Sequence, residues 1–433
     1  MITLRPYQSQ TLTASSAAYQ RGVTRQLVSW ATGLGKCLGK GTPVLLFDGT
    51  TKPVEEIKTG DRLMGPDSLP RAVLSTCTGR EMLYRVVPVK GDSYVANESH
   101  VLSLKMTGQS RKRTKRPAIG SIVNISVKDY LATHKAFKHC AKGWRTGVEW
   151  APKPISIDPY FLGIWLGDGT SESSAITTID SEVVDFLQQY ADEIGHTLVV
   201  GEYENRCSRY TVTKGKGARK DCLKAWLRKL DVIGNKHIPL IYKANSREVR
   251  LRLLAGLLDS DGYLHGQDRC GFEFVAKNQR LAADVAFLAR SLGFAASLKL
   301  RQKTCANNGV SGSYWAIYIS GQTDLIPTRI ARKRAAPRIQ IKNHLVTGIK
   351  VEPIGEGDYY GFELDGDGLF LLGDFTVTHN TTLFCAVLRE RQRFGRQYVI
   401  AHRDELIKQF LARVRAMLPS ARVGVVNGQV KQT

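Results

Sequence analysis

The feature that most restricts this chain is a phosphate-binding loop cut in two. Gln26-Leu27-Val28-Ser29 reads as a short buried strand, and Trp30-Ala31-Thr32-Gly33-Leu34-Gly35-Lys36 follows it. Gly33 and Gly35 would bring backbone N–H groups against phosphate oxygens, and Lys36 would reach the β/γ oxygens. Such a loop needs Ser or Thr next, to hold Mg²⁺, and then a helix. Cys37 follows instead, and Gly39, Gly41, Thr42 and Pro43 make no helix. The missing half begins at Thr381, where Thr381-Thr382-Leu383-Phe384-Cys385-Ala386-Val387-Leu388 has helical apolar spacing. Joining Lys36 to Thr381 restores A-T-G-L-G-K-T-T, with strand, loop and helix in order. A domain merely lodged in that loop would abolish the phosphate site it interrupts, so the pattern points to removal of residues 37–380.

Removal requires breaking two peptide bonds and making a third, and the junction residues suit that work. Cys37 can attack the Lys36 carbonyl and turn an amide into a thioester, a thiol being the strongest neutral-pH nucleophile among ordinary side chains. Thr381 carries a hydroxyl able to take over the acyl group. Asn380 can cyclise onto its own carbonyl, with His379 beside it to move the proton.

These junctions resemble those of inteins. C-L-G-K-G-T-P-V-L-L-F-D-G (37–49) and V-E-E-I-K-T-G-D-R-L-M-G (54–65) resemble the family's N-terminal block, and G-L-F-L-L-G-D-F-T-V-T-H-N-T (368–381) its C-terminal block. The resemblance implies Cys37 as first nucleophile, Thr381 as second, and His379 with Asn380 as the C-terminal cleavage pair. Asn97-Glu98-Ser99-His100 stands where the family usually has T-x-x-H. His100 would then polarise the Lys36–Cys37 amide, with Asn97 in the helping position. The penultimate block commonly carries Asp or Cys where this chain has Gly361; Asp358, Glu363 and Asp374 lie nearby as candidate acids. Val/Leu/Ile-rich runs split by Gly and Asp turns (44–47, 84–89, 101–104, 346–351, 370–378) read as strands. The expectation is an all-β Hint-type splicing domain built from residues 37–155 and 336–380.

Between residues 156 and 335 helical and strand patterns alternate. F-L-G-I-W-L-G-D-G (161–169) and L-A-G-L-L-D-S-D-G (254–262) align, matching Gly163 to Gly256 and Asp168 to Asp261. Small residues four apart would let two helices approach closely, bringing an acid at each helix end together. Paired carboxylates repel unless cations lie between them, a layout suited to Mg²⁺-assisted phosphodiester hydrolysis. The segments resemble the paired motifs of LAGLIDADG homing endonucleases, supported by K-H-I-P (236–239) and L-A-A-D-V-A-F-L-A-R-S-L-G-F (281–294). By position the resemblance makes Asp168 and Asp261 the metal-binding catalytic acids of an inserted α+β domain, with Lys277 near the cleaved phosphates. Asp259 has Leu166 as its counterpart and is assigned no catalysis. The alternative is a middle unit that only binds DNA.

The outer pieces, residues 1–36 and 381–433, resemble the opening motifs of a superfamily 2 DNA helicase of the DEAD/DEAH type: M-I-T-L-R-P-Y-Q (1–8), the rejoined loop, and Y-V-I-A-H-R-D-E-L-I (398–407). By resemblance Gln8 would read adenine, Lys36 the phosphates, and Thr381 Mg²⁺. These are pieces of an incomplete α/β P-loop domain, so ATP is expected to bind only in the spliced, full-length host.

Charge agrees with two DNA-directed parts. Lys and Arg number 62 against 39 Asp and Glu, a net +23, which favours a polyanionic partner. Of this, +11 falls on the two outer pieces and +12 on residues 37–380. Basic runs Arg111-Lys112-Arg113-Thr114-Lys115-Arg116 and Arg332-Lys333-Arg334 would extend a phosphate-backbone footprint. The expected partner is double-stranded DNA, the intein-free allele, read by a monomer. The most apolar long window, 281–298, contains Asp284 and Arg290, so no membrane span is expected. Eight cysteines without a C-x-x-C offer neither zinc site nor disulfide framework, and a cytoplasmic location is expected.

Overall fold

The computed structural model describes residues 37–108, 117–201, 207–214, 222–266, 268–304, 311–339 and 341–379, together with 17 and 21. Gln8, Gly33, Gly35, Lys36, Asn380, Thr381 and the basic run 111–116 lie outside the described residues.

The splicing unit is assembled from both ends of the insertion. Its strands include β1 (Leu38–Gly39), β2 (Pro70–Pro88), β3 (Tyr94–Asn97), β4 (Val101–Met106), β5 (Ile349–Leu364), β6 (Leu369–Leu371) and β7 (Val377–His379). The two long strands, rich in Val, Thr and Tyr, pair antiparallel from Ile349↔Pro88 to Leu364↔Val73. Their register shifts between Pro353 and Gly355, where Pro353 offers no N–H to the ladder. β1 lies against both β5 (Leu38↔Tyr360) and β3 (Leu38↔Ala96), so the first residues of the insertion are gripped by strands from both halves. β7 pairs with β6 and with β4 (His379↔Val101). Leu38, Val44, Leu63, Val86, Leu102, Leu104, Phe362 and Phe370 fill the core between them.

The unit is not wholly β. Val127–Ala132 and Lys135–Cys140 are short helices. Ser126 caps the first by accepting from the Asp129 backbone N–H, and Val127 and Tyr130 bury its inner face, a signal that strand periodicity does not reveal. The run 370–378 is likewise two strands, separated by a turn at Phe375, which takes φ 68°.

The inner unit is built on two helices, α1 (Pro159–Asp168) and α2 (Arg247–Asp261). Asp158 starts α1 by accepting from the Tyr160 and Phe161 N–H groups, and Pro159 pre-sets the first turn. Ser246 starts α2 in the same way through the Val249 N–H. The helices cross at their glycines: a Cβ on Gly163 would lie 2.4 Å from the Leu253 carbonyl oxygen, and one on Gly256 2.3 Å from that of Tyr160. Backbone cannot retreat from such contacts. Gly163→Val is therefore expected to destabilise the inner unit by about 1–3 kcal/mol, the usual range for an overpacked core, as read from urea denaturation. After each helix comes a small antiparallel sheet covered by a helix, Ser181–Glu193 on the first and Gln279–Ser291 on the second.

The two units share a seam. Leu45, Met64, Leu371 and Phe375 of the splicing unit pack with Val148, Trp150 and Ala244. Arg250, fully buried in α2, donates to the carbonyls of Val148 (2.8 Å) and Ser291 (2.9 Å) and to Glu149 Oε2 (3.1 Å). Arg290 pairs with Asp92 across the same seam at 2.7 Å. Among the described residues no helix is long and apolar enough to cross a membrane.

Candidate functional site

The loop between β3 and β4, which passes from one sheet to the other, brings the two ends of the insertion together. Asn97, at its start, clamps residue 37 from both sides: its Oδ1 accepts from the Cys37 N–H at 3.1 Å, and its own N–H donates to the Cys37 carbonyl at 3.1 Å. Glu81 holds the Asn97 side chain by accepting from Nδ2 at 2.5 Å. At the far end of the loop, His100 Nε2 and Thr378 Oγ1 are 2.6 Å apart, one residue before His379. His379 itself stands opposite Val101 in the β4–β7 ladder. Cys37, Asn97, His100 and Thr378 are all at most 1% exposed, so water competes little for these bonds. Four of the residues expected from the sequence, Cys37, Asn97, His100 and His379, thus gather around five positions of one loop.

The candidate acids near Gly361 serve elsewhere. Asp374 shapes the turn before β7 by accepting from the Thr376 N–H and hydroxyl at 3.0 and 2.9 Å. Glu363 accepts from Ser75 at 3.3 Å, and Asp358 lies 3.9 Å from Arg80 on an exposed edge. Glu81 and Thr378 had no signal in the sequence, because both act across strand pairs whose register is a property of the folded sheet.

A second site lies where α1 and α2 end. Asp168 and Asp261 are the last residues of the two helices. A Cβ on Gly167 would fall 3.2 Å from Asp261 Oδ2, so the absence of a side chain there is what admits the second acid. Burial, and then the neighbouring Asp261 charge, pushes the Asp168 carboxyl up to about 6. Burial also raises Asp261, against the charges of Lys236 and Lys333. These two lysines close the helix ends: Lys236 Nζ donates to the carbonyls of Gly167 and Gly169 (2.9 and 2.7 Å), and Lys333 Nζ to those of Leu258, Asp259 and Ser260 (3.1, 2.7 and 2.8 Å). Lys277 is exposed just past the strand Gly271–Ala276, and the cations whose charge acts on the pair are Lys236 and Lys333. Lys236 opens K-H-I-P and Lys333 sits in a basic run, so both were visible as residues while their place was not. Asp259 is structural: it accepts from the Tyr160 hydroxyl at 2.8 Å and the Arg329 N–H at 2.6 Å.

Two carboxylates held close at solvent-exposed helix ends, both held above the usual carboxylate range, are relieved by a hard divalent cation. Among the described residues no group of three or more His, Cys, Asp or Glu forms a metal cluster. Asp168 and Asp261 offer two carboxylates, a donor set compatible with an ion such as Mg²⁺, which takes few protein carboxylates and completes its shell with water and phosphate.

Fold and site together are those of a splicing-type domain with a second domain, built on two acid-ended helices, inside it. Residues 37–144 match the homing-endonuclease-associated Hint family and residues 237–336 the homing endonuclease family. The chain is an intein carrying an endonuclease domain. It is 28% identical over 385 residues to the replicative DNA helicase DnaB of Mycobacterium intracellulare, covering 84% of this chain and 62% of that protein. It is 25% identical over 248 residues to the homothallic switching endonuclease of Saccharomyces cerevisiae, covering 50% and 42% respectively. The chain thus spans less than two thirds of each of these relatives. A solved structure of the homing endonuclease I-DmoI with DNA and Ca overlaps 38% of this chain and 82% of that one, at 14% identity and a TM-score of 0.26, too low to carry an inference.

The Asn97 clamp gives a direct expectation. Asn97→Ala removes the acceptor for the Cys37 N–H and one of the donors to Glu81, which keeps the Ser99 hydroxyl at 3.3 Å. Cleavage at the Cys37 junction should then slow by about tenfold, the kinetic equivalent of one net hydrogen bond at a buried position, in a thiol-induced cleavage assay.

Proposed function

We propose that residues 37–380 excise themselves and join Lys36 to Thr381, and that the inner unit is a Mg²⁺-dependent, site-specific DNA endonuclease. The observation that carries the splicing reading is the single loop, 97–101, which touches Cys37 at one junction and Thr378 and His379 at the other. A transfer between two distant peptide bonds needs them in one place, and proximity of this kind supplies much of the rate.

The steps follow from the junction residues. Cys37 Sγ bonds to the Lys36 carbonyl carbon as the C–N bond breaks, leaving a thioester and a free amine on residue 37. Asn97 holds the Cys37 N–H of that amide, and His100, at the other end of the same loop, is proposed as the proton donor or acceptor for it. Thr381 Oγ1 then takes the acyl group and the Cys37 thiol departs. The Asn380 side-chain nitrogen closes on its own carbonyl, assisted by His379, and releases residues 37–380 with a C-terminal succinimide. The ester left between Lys36 and Thr381 rearranges to the amide through the freed Thr381 nitrogen. Incubating the purified chain and weighing the products tests the sequence of steps.

For DNA cleavage, Asp168 and Asp261 would hold the cation, which when bound polarises the phosphodiester and activates water. Lys236 and Lys333 screen the two acids and present positive charge to a phosphate. The homing endonuclease match over 237–336 and the net charge of +23 support DNA as the partner. The target is proposed to be the uninterrupted phosphate-loop codons of the host gene, read by a monomer in the cytoplasm. The host is proposed to be an ATP-dependent DNA helicase, in keeping with a relative named as a replicative DNA helicase and with Gln8, Gly33, Gly35, Lys36 and Thr381 as its nucleotide site after splicing.

A further inference from the structure

We propose that Cys77 is a further catalytic residue of the splicing reaction, the base that takes the Cys37 thiol proton in the first acyl shift. The inference rests on the splicing reading above and adds a group to it. Cys37 Sγ and Cys77 Sγ are 3.8 Å apart, within hydrogen-bonding reach for sulfur. They come from two different neighbours of β5. Leu38↔Tyr360 and Gly39↔Tyr359 put Cys37 beside Gly361 on one edge, and Gly361↔Cys77 puts Cys77 beside it on the other. The two thiols meet over Gly361 because nothing occupies the space between. A Cβ at Gly361 would lie 2.4 Å from Cys37 Sγ and 3.0 Å from Cys77 Sγ. The position that carries no side chain is thus the one that lets a thiol from the next strand reach the nucleophile.

A hydrogen bond, rather than a disulfide, is what this arrangement supports. Adjacent strands lie about 4.8 Å apart, so residues two strands apart stand roughly 9–10 Å apart at Cα. That exceeds the span of about 7 Å that a disulfide bridges without backbone movement. Cys77 is half-buried, and hydrogen bonds from Cys37 and from the Gly361 backbone hold its thiol below the usual range against the opposing effect of burial. The step takes Cys77 as the acceptor of the pair and Cys37 as the donor, a sense that the contact between the two sulfurs permits. In the step itself the Cys37 proton passes to Cys77 Sγ, Cys37 Sγ bonds to the Lys36 carbonyl carbon, and the C–N bond breaks. The proton then returns from Cys77 to the departing Cys37 nitrogen, so the shift is a net isomerisation and the Cys77 thiolate is regenerated.

The test compares the two junctions in the full-length chain. Cleavage at Cys37 is induced with dithiothreitol and followed as release of residues 1–36; cleavage after Asn380 is followed as release of residues 381–433. Cys77→Ser is expected to slow the first by about 10²-fold, the lower range for loss of a general base, with the second and Tm unchanged. Cys77→Asp, which returns a base to the site, is expected to recover part of the rate. Release of 1–36 from Cys77→Ser at the parent rate overturns the proposal. So does equal slowing of both junctions with a lowered Tm, which marks a packing role. If the parent chain releases no more 1–36 than a Cys37→Ala control, the splicing reading itself has failed.

Discussion

Exchanging Asp168 or Asp261 for Asn is expected to cut Mg²⁺-dependent nicking by about 10²–10³-fold, the scale for removing one preorganised charged group from an active site. Each Asn keeps the shape and a carbonyl oxygen but removes a negative charge from a pair in which desolvation and the Asp261 charge drive Asp168 up to about 6. The fold should tolerate both changes, since relieving that repulsion costs the helix ends nothing. The substrate is a plasmid carrying the uninterrupted phosphate-loop codons, and the readout is conversion of supercoiled to nicked or linear DNA. Asp259→Asn offers a contrast: its carboxylate holds Tyr160 and the Arg329 N–H within the core, so a stability loss is expected before any effect on the cleavage step. Unchanged nicking in both Asp168→Asn and Asp261→Asn would leave the inner unit as a DNA-binding module.

The second large effect separates the two junctions. Cys37→Ala removes the nucleophile and should eliminate the ligated product altogether, while cleavage after Asn380 continues. His379 is placed by the β4–β7 ladder and Thr378 by His100, and neither contact involves the Cys37 thiol. Asn380→Ala should give the reverse: no release of residues 381–433, and a thioester at residue 37 that dithiothreitol cleaves. Residues 1–36 and 381–433 released in these complementary patterns, seen by mass spectrometry, would show two chemistries meeting on one loop. Loss of both cleavages in Cys37→Ala would mean that the C-terminal step waits on the first.

Much of this was legible in the sequence because the signals were covalent or local. The broken phosphate loop declares the junctions through chain order, and Cys37, His379 and Asn380 are named by adjacency to it. The small residues of 161–169 and 254–262 predict close helix contact, and Gly163 and Gly256 make it. What stayed hidden depends on register and distance. Cys77 lies forty residues from Cys37 and becomes its neighbour through β5, a strand from the opposite end of the insertion. Gly361 looked like a missing acid, and its missing side chain is instead what opens the contact. Lys236 and Lys333 were residues of known type without a place until two helix ends needed closing. The helices of 127–140 escaped a strand-based reading because six-residue helices hold little periodicity, and Ser126 with Tyr130 decides them.

The central claim is that this chain rebuilds its own phosphate loop. Purified full-length chain, incubated in reducing buffer and weighed over time, tests it directly. Splicing predicts a product in which Lys36 is bonded to Thr381, confirmed by a junction peptide reading A-T-G-L-G-K-T-T, together with released residues 37–380. An intact chain after prolonged incubation, matching a Cys37→Ala/Asn380→Ala control, would contradict it.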